Sequence, residues 1–253
     1  MKPFWKKTGN ILISFLLLIT VWQLIIWIGD YEEALLPSPL SVATGFLSLL
    51  ADGTLFDHVT ISLFRFISGY GSAVLAAVIL GLILGRAQRL WAIVEPIVQV
   101  LRPVAPVAWA PFIVLWFGIG NMPAIVIIFI AAFFPVLLST ITAVKKVDAT
   151  YLKLAENLEI KQPALMYKII FPAAFPGIAN GLHIAVGTAW IFLVSGEMVG
   201  AQSGLGYLII DSRNMLDFDL VLAGIFSIGV LGLILDKCVG LFEKWVGKQW
   251  GYQ

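Results

Sequence analysis

The chain has 253 residues, of which 60% are hydrophobic and 12% are charged, with a formal net charge of +1. Because soluble globular domains are about 45–50% apolar and about 25% charged, this composition excludes a disordered chain and a water-soluble domain. The near-neutral charge gives no attraction for nucleic acid, and a single cysteine excludes an internal disulfide. We therefore expect an integral membrane protein that contacts lipid and has no nucleic-acid partner.

Six stretches are apolar over the roughly 17–25 residues that a helix needs to cross the hydrocarbon core. Their apolar runs are continuous, whereas the strands of a membrane barrel alternate between apolar and polar residues. The first run begins at Ile11 and is longer than the core of a secretory signal, which predicts a retained helix. The sequence thus predicts an all-α membrane protein with a single transmembrane domain over residues 1–253. The spans lie at about 11–29, 61–85, 93–117, 122–144, 173–199 and 219–242.

The positions of lysine and arginine predict which ends of the spans face the cytoplasm. With the N-terminus in the cytoplasm, all but three of the 16 basic residues fall on the cytoplasmic side. The exceptions are Arg65, Arg102 and Arg213. Acidic residues concentrate instead in two predicted external loops, at about 30–60 and 200–218. We therefore predict that both termini are cytoplasmic and that residues 145–172 form one long cytoplasmic loop between spans four and five.

Spans two and five carry glycines four residues apart. Examples are Gly81 with Gly85 in span two and Gly177 with Gly181 in span five. Small residues at this spacing let the backbones of neighbouring helices approach closely, so these pairs predict tight packing of spans two and five against other helices.

Span three contains four prolines, each of which lacks an amide donor and disturbs the helix around it. Irregular backbone is tolerated at membrane depth only where it is buried in protein or lines an aqueous cavity. Span three is therefore our first candidate for the wall of a pathway. The alternative is a kinked helix that fills space between its neighbours. The prolines are Pro96, Pro103, Pro106 and Pro111.

Three further residues in the spans are candidates for the pathway or its gate. Arg102 precedes the proline-rich stretch, and three roles are open for it. It would contact an anionic solute, hold a cytoplasmic gate closed, or extend its side chain to the cytoplasmic headgroups. Trp109 and Trp190 would form an apolar constriction, although tryptophans are commoner in belts at the membrane interface.

The cytoplasmic loop carries the pattern of a short amphipathic helix. Asp148 is a favourable residue to cap its start, and Pro163 is a natural stop. Apolar residues recur between them with the spacing of one helix face. They are Tyr151, Leu154, Ala155 and Leu158. A short helix outside the bilayer buries such a stripe against lipid headgroups or against a partner, and this pattern alone leaves both open.

Two charged residues lie near the external ends of the predicted spans. For Glu197, late in span five, three roles remain open: it gates the pathway, it pairs with Arg65 or Arg213, or it lies at the membrane interface. For Arg65, near the external end of span two, we expect an anchor at the interface.

The residues around the loop helix resemble the cytoplasmic loop of ABC-importer permeases. That loop has the pattern Glu-Ala-Ala, three residues, Gly, nine residues, Ile, one residue, Leu-Pro. The residues that match in register are Ala155, Ile169 and Pro172. The departures are Lys153 for the Glu, Leu154 for the first Ala, Glu159 for the Gly and Phe171 for the Leu. Because the Gly normally ends the helix, Glu159 predicts a helix that continues to about Gln162 or ends without a left-handed cap.

Other segments resemble one branch of these permeases, the importers of nitrate, sulfonates, taurine and bicarbonate. These segments are 102–111, 115–120, 171–178, 181–182, 187–190, 197–200 and 204–206. The resemblance covers about residues 35–240. It implies a homodimer of permeases in the bacterial inner membrane, two ATP-binding subunits that hold ATP and Mg²⁺, and an extracytoplasmic solute-binding protein.

The resemblance also implies roles for the loop. Its helix would be a coupling helix that docks into a groove of the ATPase. The residues assigned to this contact are Tyr151, Lys153, Leu154, Ala155, Leu158, Glu159 and Pro172. The gate and pathway candidates remain Arg102, Pro106, Trp109, Trp190 and Glu197.

From the resemblance we expect half of the pathway of an ATP-driven importer for a small anionic solute, working by alternating access. The chain has no phosphate-binding loop pattern, no nucleophile with a base and no histidine pair at metal-ligand spacing. We therefore expect a non-catalytic subunit without a cofactor or metal of its own. The rival interpretation is an ion-coupled secondary transporter or channel, which requires more ionisable residues inside the membrane.

Overall fold

The computed structural model describes residues 2–29, 32 and 35–249, and the side chains of residues 13–29, 32 and 35–248 among them. Across these residues all regular structure is helical, which confirms the predicted all-α class. The helices are α1 (Lys2–Gly29), α2 (Pro39–Ala51), α3 (Thr54–Arg86), α4 (Gln88–Leu101), α5 (Ala110–Phe117), α6 (Asn121–Lys145), α7 (Ala149–Asn157), α8 (Phe171–Gly200), α9 (Leu205–Met215) and α10 (Phe218–Gln249). A 3₁₀ turn (Pro106–Trp109) precedes α5, and a π-helical turn (Met166–Ile170) precedes α8.

Four helices of the described chain are long and apolar enough to cross a membrane alone. They are Thr54–Arg86, Asn121–Lys145, Met166–Gly200 and Phe218–Lys248. A fifth candidate consists of Gln88–Leu101 with Pro106–Phe117, and the apolar part of α1, Ile13–Gly29, is shorter. The number of six spans therefore stays a prediction. So does the orientation, and the side chains of Lys2, Lys6 and Lys7 that support it lie outside the described residues, as do residues 30, 31, 33 and 34 of the first loop.

The third predicted span is not one continuous helix. Its two halves, α4 and the segment Pro106–Phe117, meet at an angle of 85°. The break falls after Leu101, where Pro103 and Pro106 are unable to donate the amide hydrogen bonds that would continue α4. The proline pattern thus indicated where the chain bends.

Helix α6 lies at the centre of the fold, between α3 and α8. Its contact with α3 is close because a Cβ at Gly81 would lie 2.6 Å from the Cβ of Thr140. On its other side, a Cβ at Gly177 would lie 2.6 Å from the Cβ of Ala143. The predicted role of these glycines in tight packing is confirmed, and the closely packed α3–α6–α8 layer carries the sites described below.

Both predicted external loops contain helices. In the first, Ser38 caps α2 by accepting a hydrogen bond from the Ser41 amide at 3.1 Å, and Pro39 fits the first helical turn because no partner is needed for its nitrogen. In the second loop, α9 (Leu205–Met215) connects the ends of α8 and α10. The Gly200 end of α8 and the Phe218 end of α10 therefore lie at the same end of the molecule.

Candidate functional site

Helix α7 forms where the sequence predicts the loop helix. Asp148 caps its start, with Oδ1 accepting a hydrogen bond from the Thr150 amide at 2.8 Å. That backbone hydrogen bond also holds the pKa of the Asp148 carboxyl below its usual range. The helix ends at Asn157, well before Pro163. At the other end of the loop, Pro172 lies in the first turn of α8, which continues directly from the π-helical turn Met166–Ile170.

The end of α7 corrects the prediction for Glu159. This residue has a left-handed backbone, with φ of 51°. Its amide donates to the carbonyl of Glu156 at 2.9 Å, and the amide of Ile160 donates to the carbonyl of Ala155 at 2.9 Å. These two bonds define a Schellman cap, so the expectation of a longer helix or of an end without a left-handed cap is wrong. The cap forms without the glycine because the hydrogen bonds offset a strain of roughly 1–2 kcal/mol.

The apolar residues of α7 differ in how far they are buried. Ala155 is only 1% exposed, and with the half-buried Leu152 it attaches the helix to the body of the protein. Tyr151, Leu154 and Leu158 remain 54%, 54% and 63% exposed. The exposed trio follows the spacing i, i+3, i+7 and forms a continuous apolar stripe on the outside of α7. We call Tyr151, Leu154 and Leu158 the outer stripe.

The polar flank of α7 faces a small cavity. Lys153 and Glu159 are exposed, and Lys153 lines a cavity of about 390 Å³ that is shared with Arg86 at the end of α3. The structure therefore places the predicted coupling residues in four settings: the outer stripe, the exposed charges of Lys153 and Glu159, the inward contact of Ala155, and Pro172 at the start of α8.

A second cavity, of about 340 Å³, lies where the broken third segment meets α6 and α8. We call it the Arg102 cavity. Of the described residues that line it, Arg102 alone is charged. Pro106 comes from the same break, Ser139 from α6, and Thr188 and Phe192 from α8. The cavity has the volume and mixed lining of a site for a small solute, with one cation as its electrostatic feature.

The other three pathway candidates are not among the residues that line this cavity. Trp109 is half-buried and packs against Ile113 and its neighbours. Trp190 is buried, with its Nε1 donating a hydrogen bond to the Ile228 carbonyl at 3.0 Å and its ring edge-on to another aromatic ring. Glu197 is buried near the end of α8. Of the five candidates, the structure thus places Arg102 and Pro106 in the lining of the cavity, while Trp109 shares the 3₁₀ turn with Pro106 but does not line the cavity. Trp190 and Glu197 lie on α8 and also do not line it.

Glu197 belongs to a buried polar network at the Gly200 end of the molecule. Its Oε1 lies 2.8 Å from NH1 of Arg65, and these side chains are 0% and 1% exposed. The expectation that Arg65 anchors the membrane interface is therefore wrong, and the pairing of Glu197 with Arg65 is the alternative that the structure confirms. Two opposite charges near the same end of their predicted spans were the sequence signal for this pair.

All five N–H donors of Arg65 have acceptors. Nε and NH2 both donate to Oδ1 of Asn121, at 2.9 and 2.8 Å. NH1 donates to Glu197 and to the Ser203 carbonyl, and NH2 also donates to the Ser203 hydroxyl at 2.8 Å. Because both the charge and every donor are satisfied, this arginine is stable in a dry environment.

The network attaches the start of α9 to α3. Oε2 of Glu197 accepts from the Gly206 amide at 2.9 Å. The Ser62 hydroxyl donates to Glu197 at 2.8 Å and accepts from the Leu205 amide at 2.9 Å. Gly204 has φ of 99°, and a Cβ there would collide with the Glu197 carboxyl. Sequence reasoning missed Ser62, along with Asn121 and Ser203, because single polar residues in apolar helices carry no periodic signal.

Comparison with known proteins identifies one matching family model. The model for "binding-protein-dependent transport system inner membrane component" matches residues 73–248. The chain is 35% identical over 245 residues to the putative aliphatic sulfonates transport permease protein SsuC of Bacillus subtilis, covering 96% of this chain and 89% of the relative. It is 33% identical over 224 residues to the taurine transport system permease protein TauC of Escherichia coli, covering 87% and 82%.

A more distant relative and a solved structure agree with these matches. The nitrate import permease protein NrtB of Synechocystis is 28% identical over 243 residues, covering 92% of this chain and 87% of the relative. Among solved structures, a chain of the inward-facing MetNI methionine ABC transporter superposes with a TM-score of 0.54 and 18% identity. That match covers 73% of this chain and 96% of the other, and it shows similarity of fold.

Proposed function

The chain belongs to the family of binding-protein-dependent transport system inner membrane components, and we propose that it forms half of the pathway by which an ATP-driven importer admits a small anionic solute. As an ABC-importer permease it is a transport component of the inner membrane that works with ATPase subunits and a binding protein. The proposal adds the class of solute, the arrangement of the complex and the route of coupling.

The Arg102 cavity is the observation that carries the choice of an anion. A guanidinium group that is the one charge among the described lining residues attracts nitrate or a sulfonate and repels a cation. The relatives are described as permeases for aliphatic sulfonates, taurine and nitrate. Nitrate, sulfonates and bicarbonate are small oxyanions, and taurine carries a sulfonate group. The names of these relatives and the charge of the cavity both support a small anion as the proposed solute, with a binding protein selecting among such anions.

In the proposed assembly, two copies of this chain form a homodimer with six spans each and cytoplasmic termini. Two ATP-binding subunits lie on the cytoplasmic side and hold ATP and Mg²⁺, so this chain is non-catalytic and needs no cofactor of its own. The solute-binding protein docks on the external side. The distribution of basic residues along the sequence supports this orientation.

The outer stripe of α7 is the proposed contact with the ATPase. Three exposed apolar side chains at the end of a membrane protein gain stability by entering a groove of a partner. Lys153 and Glu159 flank the stripe and would set its register in the groove of the ATPase. The inward packing of Ala155 and the position of Pro172 would make α7 move together with the membrane helices.

The proposed mechanism is alternating access. ATP binding closes the two ATPases and moves α7, which shifts the ends of α6 and α8 to which it is connected. Those two helices form much of the wall of the Arg102 cavity, so the same movement would open the cavity to the external side. Hydrolysis then restores the inward-facing state.

Uptake by the reconstituted complex tests the solute class. In proteoliposomes with its ATPase and binding protein, the chain is expected to accumulate a labelled sulfonate or nitrate, with competition from other small oxyanions and none from neutral or cationic solutes. Replacing Arg102 by Gln is expected to reduce uptake about tenfold or more, because one charge-assisted contact is worth about 1.5–3 kcal/mol. Arg89→Gln, an exposed arginine outside the cavity, is the control. Equal uptake by the two variants would contradict the role of Arg102.

A further inference from the structure

A groove of about 770 Å³ opens between the first turns of α8 and the last turns of α10. We call it the α8–α10 groove. Its walls are mostly apolar, with Phe175 and Ala179 on one side and Leu241 and Trp245 on the other. Lys244 and Lys248 line it as well, so an apolar groove carries two ammonium groups along one edge.

The lengths of the two helices place the groove at the depth of lipid headgroups. From Phe218 to Lys244, α10 rises about 39 Å, and from Gly200 back to Phe175, α8 extends about 38 Å. The two starting points lie at the same end of the molecule, because α9 connects them. A hydrocarbon core is about 30 Å thick, and about 40–45 Å with its headgroups. The groove therefore coincides with the headgroup layer opposite α9.

The charges around the groove favour an anion. Lys244 and Lys248 are exposed. The one carboxylate among the described lining residues, Glu243, faces His183, with 3.6 Å between its Oε2 and the Nδ1 of the imidazole. His183 also lies 3.1 Å from Asp236 through Nε2. Glu243 is thus directed toward α8, while the two lysines are exposed at the edge of the groove. With two lysines and one glutamate, the described lining residues carry a formal net charge of +1.

The aromatic side chain in the groove has the character of a residue at the membrane interface. Trp245 is 59% exposed although its ring borders an apolar wall. Amphipathic rings of this kind are stable at headgroup level, where the ring contacts acyl chains and the indole N–H stays solvated. Lysines one turn apart beside such a ring are placed to contact a phosphate group.

We propose that the α8–α10 groove binds an anionic phospholipid, with an acyl chain along its apolar walls and the phosphate between Lys244 and Lys248. The proposal goes beyond the transport function. It rests on α8 and α10 spanning the membrane and does not depend on the solute or on the coupling to an ATPase. A bound lipid would join the ends of α8 and α10 on the membrane face where α7 also lies.

Native mass spectrometry of the full chain in detergent tests the proposal with two lipids of identical acyl chains. Phosphatidylglycerol is expected to bind more tightly than phosphatidylcholine. In the double variant Lys244→Gln/Lys248→Gln, the preference is expected to fall about 30-fold, because each lysine near an anionic headgroup contributes about 1 kcal/mol. The variant Lys244→Arg/Lys248→Arg is expected to keep the preference, since both charges remain.

Arg89→Gln/Lys146→Gln serves as the matched control, because it removes two exposed charges that do not line the groove. An unchanged unfolding temperature of each variant shows that the fold is retained. Equal binding of the two lipids to the native chain would overturn the proposal. An equal loss of the preference for phosphatidylglycerol in the control variant would also overturn it. Displacement of phosphatidylglycerol by the same concentration of glycerol 1-phosphate would overturn it too, because the site would then bind free phosphate.

Discussion

Arg65 and Glu197 show how a charge is stabilised inside an apolar helix layer. Burying an ion pair costs several kcal/mol per ion, and the cost is recovered only when geometry and hydrogen bonds are complete. Here the arginine uses all its donors, and the carboxylate accepts from Ser62, Arg65 and the Gly206 amide. The pair therefore fixes the relative positions of α3, α6, α8 and the start of α9.

Removing one partner of this pair is expected to lower the free energy of unfolding much more than removing a surface arginine does. Arg65→Leu leaves Glu197 buried without its counter-ion, and we expect a loss of about 3–5 kcal/mol in the free energy of unfolding. Arg213→Leu, an exposed arginine in α9, is the control and is expected to change stability by less than about 0.5 kcal/mol. Denaturant unfolding in detergent measures both.

The double variant Arg65→Leu/Glu197→Leu separates the charge from the packing. It removes both charges, so it is expected to be more stable than Arg65→Leu alone. A double variant that is as unstable as the sum of its two single variants would contradict the account of the pair.

Replacing Glu159 by glycine is expected to stabilise the end of α7. At φ of 51° an L-residue is strained by roughly 1–2 kcal/mol, and glycine is not. Glu159→Gly should therefore slow amide hydrogen exchange at the end of α7. Glu156→Gly, inside the helix, should have the opposite effect, since glycine there costs about 1 kcal/mol. Faster exchange at the end of α7 in Glu159→Gly would show that the left-handed cap is not a source of strain.

Glu159 in place of glycine is the reason that the sequence predicts the wrong end for α7. Glycine is the usual signal for a left-handed cap, so its absence argued for a longer helix. The structure keeps the cap because the amide of Ile160 reaches the carbonyl of Ala155, and Ala155 itself is buried. Tertiary packing of the preceding turn decides the end of the helix, and no local pattern in the sequence reports it.

At the scale of the element, α7 shows what periodicity predicts and what it leaves open. The spacing of apolar residues indicated a helix with one apolar face, and the helix is there. The spacing alone does not predict that Ala155 contacts the protein body while the outer stripe stays exposed. These residues lie at adjacent angles around the helix, and only the position of the membrane helices below determines which one is covered.

A charge in the outer stripe is expected to uncouple ATP hydrolysis from uptake. Leu158→Asp places a carboxylate where an apolar side chain would enter the ATPase, so we expect uptake to fall at least tenfold. The control Asn157→Asp adds the same charge one residue earlier, outside the stripe. Uptake and ATP hydrolysis are measured together in proteoliposomes with both partner proteins. Substrate-stimulated hydrolysis and uptake at native levels in Leu158→Asp would contradict the assignment of the outer stripe.

The third segment is the element whose shape the sequence described least well. Its prolines predicted disturbed helix, yet neither their number nor their spacing predicts a bend of 85°. The angle depends on how α5 and the 3₁₀ turn pack against α6, which is a property of the assembled layer. The bend has a consequence for function, because it directs Arg102 and Pro106 to one cavity with residues of α6 and α8.

At the scale of the whole molecule, α6 and α8 connect the three sites. They supply much of the wall of the Arg102 cavity, and α7 lies between them in the chain. At the opposite end, Asn121 of α6 and Glu197 of α8 are held together through Arg65. Helices that are fixed at one end and connected through α7 at the other are suited to the rocking motion proposed above, in which the cavity between the ends opens and closes.

In the proposed function, ATP hydrolysis on partner subunits drives uptake of a small anion through this chain. The most direct test is accumulation of a labelled sulfonate or nitrate in proteoliposomes that contain the chain, its ATPase and its binding protein. We expect accumulation against a gradient only when ATP and both partners are present, and dissipating the proton and sodium gradients should leave it unchanged. Accumulation without ATP, driven by an ion gradient, would contradict the proposed function.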